Sequence, residues 1–129
     1  MNRTHLEGAA EKLTAQRGYT FYTGPEDDMG HTVRNYPAAW LAPPELHAVE
    51  GRTHGRATYD MTLHLLRPGA RISPAERRTA LAEMEAQMIE IFAELSLDER
   101  ILAVEGLSVR PRSFSLTPHG EISQTATAR

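Results

Sequence analysis

From Thr58 to Leu65 apolar and polar residues alternate, and the stretch stops at Pro68-Gly69. Successive side chains of a strand point to opposite faces. Tyr59, Met61, Leu63 and Leu65 therefore face one way and Thr58, Asp60, Thr62 and His64 the other, which predicts one core face and one face that is wet or meets a partner. Ser73-Pro74-Ala75-Glu76 follows, joining an N-cap serine, a proline at the first helical position and a reciprocating glutamate. Leu81, Met84, Met88, Ile91, Phe92 and Leu95 then recur at three-four spacing, the mark of a helix packed on a sheet. Glu83, Glu85, Gln87, Glu90 and Glu94 fall opposite them and predict an acidic outer face.

An earlier helix is predicted from Thr4-His5-Leu6-Glu7, a capping-box pattern, with Leu6, Ala9, Ala10 and Leu13 on one face and Gly18 as its stop. Tyr19 to Thr23 is β-branched and aromatic and ends at Gly24-Pro25, so it reads as a short strand. Between Gly24 and Gly55 loop signals dominate, broken by a strand over Tyr36 to Ala42 that Pro37 assigns to a sheet edge. Leu107 to Phe114 and Glu121 to Thr127, joined by Thr117-Pro118-His119-Gly120, predict a closing β-hairpin. Its last strand has few large apolar residues, which places it at an edge or leaves it to be completed by another chain. The order predicts an α+β fold, two helices on one face of a mainly antiparallel sheet, with a long loop after the first strand.

The length of 129 residues suits one domain, residues 1–129, with its own core. A formal net charge of -3 argues against a dedicated binder of bare nucleic acid, although Arg71, Arg77, Arg78, Arg110 and Arg112 gather in the second half. Without cysteine, disulfides, thiolate zinc sites and thiol nucleophiles are excluded. No apolar run approaches the ~20 residues of a membrane span, and the start has no signal-peptide core. The expected compartment is the cytoplasm.

Catalytic and metal chemistry find little support. His47 and His54, near Glu45 and Glu50, match neither a helical His-Glu-x-x-His pair nor a zinc knuckle, and solvated loop histidines are the plainer reading. Asp60 and His64 share a strand face, but four residues of strand span roughly 13 Å, too far for a direct hydrogen bond. Glu26-Asp27-Asp28 lacks the spacing of a calcium loop and reads as an acidic turn. Gly51-Arg52-Thr53-His54-Gly55-Arg56 has two glycines but no lysine-threonine pair opening a helix. No serine sits in a nucleophile elbow. Met84 and Met88 read as core rather than as an adaptable groove. Arg110 and Arg112 flank Pro111 on one strand face, placed to hold phosphate or an acidic neighbour or to be solvated. No cofactor, metal or catalytic residue is predicted.

The leading helix, the strand after Arg17-Gly18-Tyr19, the long loop, ATYDMTLHLLRPG, SPAERRTALAEMEAQMIEIFAEL, the segment from Asp98 to Val104 and the closing hairpin together resemble the tail terminator and tail completion proteins of long-tailed phages and prophages. The resemblance spans nearly the whole chain, in order and pattern rather than in specific motifs. It implies a non-enzymatic virion component that forms a ring, typically of six subunits, capping the tail tube and facing the head-tail connector. Its partners would be further copies of itself, the tube protein and connector proteins, with neither membrane nor sequence-specific nucleic acid. Its place would be the bacterial host cytoplasm during assembly and the tail of an active virion. On that reading Thr58, Asp60, Thr62 and His64, with Arg110 and Arg112, form a subunit or partner contact or a lumen wall, and residues 24 to 56 are a flexible loop that orders on assembly. The alternative is a ferredoxin-like regulatory module binding a small ligand between subunits, although such a module is expected to carry a glycine-bearing loop between its first strand and first helix.

Overall fold

The computed structural model describes residues 3–50, 56–68, 73–98, 104, 106–111 and 122–128. Helix α1 covers Arg3–Ala15, strand β1 Thr20–Thr23, a 3-10 turn Glu26–Asp28, and the one-turn helix α2 Met29–Thr32. Strands β2 (Ala38–Leu41), β3 (Glu45–Glu50) and β4 (Arg56–Arg67) precede the long helix α3, Pro74–Leu95. Strands β5 (Ser108–Pro111) and β6 (Ile122–Ala128) follow. Among the described residues the sheet runs β1-β2-β4-β6-β5, and β3 pairs with β4 off that path. The β1–β2 pair is parallel and every other pair is antiparallel, so the predicted α+β architecture holds.

Helix α3 starts where its cap sequence directs. The Ser73 hydroxyl accepts from the Glu76 backbone N–H at 3.1 Å, with Pro74 in the first turn. Its apolar stripe buries Met84, Met88, Ile91, Phe92 and Leu95 against Leu63 and Leu65 of β4 and Leu6 and Ala10 of α1, with Leu81 partly buried beside them. Burial of one such side chain stabilises the fold by about 1.5–3 kcal/mol. Gly18, at φ +85°, takes a left-handed turn that brings the Tyr19 N–H to the Thr14 carbonyl at 3.2 Å.

The outer face of α3 is less free than its acidic sequence predicts. Glu83 accepts from Arg67 Nη1 at 2.8 Å, and Gln87 Oε1 accepts from Arg67 Nη2 at 3.0 Å and from the Tyr19 hydroxyl at 2.6 Å. Arg67 Nε in turn donates to the Tyr19 oxygen at 3.2 Å. Glu94 accepts from Arg17 Nη2 at 2.7 Å. Arg17 Nε, a buried atom without a hydrogen bond, lies 3.5 Å from Glu90 Oε2 as a looser ion pair. His5 of α1 and Asp98, past the end of α3, are 2.9 Å apart.

Three placements differ from the sequence expectation. Strand β2 lies inside the sheet between β1 and β4, not at an edge. Pro37 stands just before its first residue, where no strand N–H is needed, and its carbonyl accepts from Thr20 N at 3.0 Å. Strand β6 is also interior, with β5 outside it; Ala126 and Ala128 stand opposite Leu63 and Met61 in register, and small residues were misread as edge character. Residues 24–50 are an organised connection, not one long loop. A parallel pair needs a crossover of a dozen or more residues, and the stretch from Gly24 to Pro37 supplies it; β3 then adds a strand that loop signals concealed. The turn predicted at Thr117–Gly120 lies outside the described residues, as do most of Asp98 to Val104 and all of 51–55.

Candidate interaction face

The two faces of β4 serve different layers. Met61, Leu63 and Leu65 point into the core with α1 and α3, and Tyr59 packs against it. On the other face, Leu66 joins Ala38 and Trp40 of β2 in a second apolar cluster, closed by Met29 and Val33 of the crossover and flanked by Tyr22 and Tyr36. The crossover is thus a short flap over one half of the second face.

Local bonds hold this flap. Trp40 Nε1 donates to the Gly24 carbonyl at 3.0 Å, and the indole stacks on Tyr22 with ring centres 6.2 Å apart. Gly24 has φ +148°, a backbone shape that favours glycine, and a Cβ there would make only an ordinary contact with the indole at 3.5 Å. The Tyr22 hydroxyl accepts from the N–H groups of Asn35 and Arg34 at 3.2 and 3.4 Å. Glu26 Oε2 lies 3.2 Å from Nε2 of His64, whose ring is fully enclosed.

One row crosses the sheet at this level. Register places Tyr22 beside Trp40, Trp40 opposite His64, His64 opposite Thr125, and Thr125 opposite Arg110. The row passes from an aromatic half beneath the flap to an edge that ends in the exposed Arg110.

The predicted contact residues separate along this geometry. His64, expected on a contact face, has no exposed surface and is held by Glu26; the acidic turn after β1 reaches over it, which strand alternation alone does not reveal. Thr62 and Asp60 are half-buried, and Asp60 stands opposite Glu45 of β3. Arg110 is exposed on the edge strand β5. The backbone of Thr58 pairs with Ala48, while its side chain, like Arg112 and His54, lies outside the described residues. Asp60 and His64 do not meet as an acid-base pair, because each faces a different cross-strand neighbour.

An open groove of about 580 Å³ lies where the flap meets the start of β3. Pro25, Ala42, Pro43 and Pro44 supply apolar lining, Glu26, Asp27 and Glu45 the carboxylates, and Leu46 is 52% exposed beside them. The sequence reading missed this groove. Its only signal was Pro43-Pro44, read there as the end of a strand, when the pair in fact separates β2 from β3. Among the described residues no three histidine, aspartate or glutamate side chains are grouped as a metal site. Tyr19, at the other end of the sheet, has its pKa raised, because burial disfavours the phenolate more than the Arg67 guanidinium favours it. For Arg67, burial opposes the charge, but hydrogen bonds to Glu83 and Tyr19 and their fields outweigh it, so its pKa is raised.

No family model matches the chain, and no curated protein matches it. None of its described helices is long and apolar enough to cross a membrane.

Proposed function

We propose that the chain is a ring-forming structural protein of a long-tailed phage or prophage, a tail terminator or head-tail joining component that caps the tail tube. The observation that carries this reading is the arm made by β3 and the first half of β4. Strand β4 runs for 12 residues, but β2 and β6 pair only with its second half, Met61 to Arg67. Arg56 to Asp60 pairs with β3 alone among the described residues. A two-stranded ribbon is marginal in water without a third strand or a packed face, and a free strand edge is a template for another chain. A neighbouring subunit meets both needs.

The α+β fold with both long helices on one face agrees with the resemblance, and leaves the part of the other face outside the flap for contacts. Thr58, Asp60 and Thr62 lie along the arm and its root, and Arg110 lies at the far edge. These residues form the contact set, without His64. The ring contains several copies of the chain, typically six in proteins of this kind, between the tube protein and the connector. The reading requires no cofactor and no catalytic residue. It is tested by adding the protein to unterminated tail tubes of the parent phage and imaging them by electron microscopy. Density confined to one tube end supports it; bare ends, or protein coating the tube sides, contradict it.

A further inference from the structure

The groove and the edge strand β5 are complementary in charge and stand at opposite sides of one sheet. We propose that the groove between the flap and β3 receives the Arg110-Pro111 end of β5 from a second copy of the chain, in a head-to-tail contact. This inference rests on the ring reading and names the surfaces that close the ring.

The groove carries Glu26, Asp27 and Glu45 around a floor of Ala42 and prolines. Glu26 is engaged with His64, while the carboxylates of Asp27 and Glu45 are exposed. Such a lining suits a guanidinium whose stem lies on apolar surface. Among the cations whose side chains are described, few qualify: Lys12 belongs to α1, on the core side of the sheet with α3. Arg17 and Arg67 are engaged with carboxylates of α3, and Arg77 and Arg78 belong to α3, which covers the opposite face of the sheet. Arg34 belongs to the flap side and bonds the Val33 carbonyl. Arg110 is exposed, lies in the register row of His64, and so shares the face on which the flap sits.

The geometry also sets the kind of contact. The groove lies on the β1-β2 side of the sheet and Arg110 on its β5 edge. One groove and one strand end at different places make a heterologous interface, which propagates and closes into a ring when the rotation between copies closes, whereas a two-fold dimer would use one patch twice.

Because the chain has no cysteine, a cross-linking test is clean. Leu46→Cys and Pro111→Cys, both at exposed positions, are prepared as single variants and as the double variant, and oxidised at high protein concentration with and without tail tubes. The proposal predicts that the mixed single variants give a cross-linked dimer and neither variant does so alone. The double variant gives a ladder of multimers. Arg110→Glu introduced into the double variant removes most of the ladder, and adding Glu45→Arg restores part of it. Cross-linking within one monomer, or no heterodimer under any of these conditions, overturns the proposal. Tube capping without this cross-link leaves the ring reading standing and removes this interface. The cross-link without tube capping leaves the interface standing and removes the terminator reading.

Discussion

His64 and Glu26 are joined at 3.2 Å across the second face of the sheet, an enclosed imidazole of β4 held by a carboxylate of the turn after β1. The contact ties the crossover flap to the central strand. Glu26→Ala is expected to lower stability by about 1 kcal/mol, the usual net worth of a hydrogen bond. Amide exchange should rise in Met29 to Val33 more than in α3. Exchange that changes equally in both would mean that the flap does not depend on this contact.

The core face of α3 makes a sharper prediction. Met88 is fully buried, so Met88→Asp places an unpaired carboxylate in the apolar layer and should cost about 3–5 kcal/mol. Glu85→Lys, exposed on the same helix, should change stability by less than about 0.5 kcal/mol. Glu83 is not the neutral control its sequence position suggests, because it pairs with Arg67. Urea unfolding of the two variants side by side checks the assignment of the face.

Two glycines should respond with opposite signs. Gly18 has φ +85° with open space around it, so Gly18→Ala carries a backbone penalty alone, about 1–2 kcal/mol. Gly8 lies within α1, has no positive φ, and a Cβ there meets nothing within 4 Å; Gly8→Ala should stabilise by about 0.5–1 kcal/mol. Melting temperatures that move in the same direction would show that the end of α1 is misplaced.

The Tyr19 network predicts a pH dependence. The Tyr19 pKa lies above its ordinary 10.0, so the folded state holds this proton more tightly than the unfolded state. The associated stability is complete below about pH 10 and is lost as pH rises through the folded pKa. Tyr19→Phe should cost about 1 kcal/mol at neutral pH, through the lost bonds to Gln87 and Arg67. Above about pH 10 the variant should show a shallower loss than the wild type, and urea midpoints across that range measure the difference.

Much of the first layer was legible in the sequence, because its signals are periodic and long. The stripe from Leu81 to Leu95, the Ser73 cap and the alternation from Tyr59 to Leu65 each persist over several repeats, and each lies where the pattern puts it. The second layer was not legible. Its flap is a 3-10 turn and a helix of 4 residues, too short to show a period, and Met29 and Val33 look like loop residues until Trp40 and Leu66 are seen beneath them. His64 sits at a polar position of the alternation, and its burial depends on Glu26, 38 positions away. The groove forms from two segments that meet only in space, Pro25 to Asp27 and Ala42 to Leu46.

If the chain closes a ring on the tube end, as proposed, it stops tail-tube growth. The most direct measurement follows tube length over time in a polymerising mixture of the parent tube protein as the protein is added in increasing amounts. Growth should then be arrested at saturation with a few copies per tube, about six for a ring of the expected kind, with little effect on tubes already formed. Arg110→Glu should require more protein for the same arrest while retaining the wild-type unfolding curve. Tubes that lengthen at the same rate at every ratio would rule out ring closure on the tube end and favour the alternative, a small-ligand-binding module.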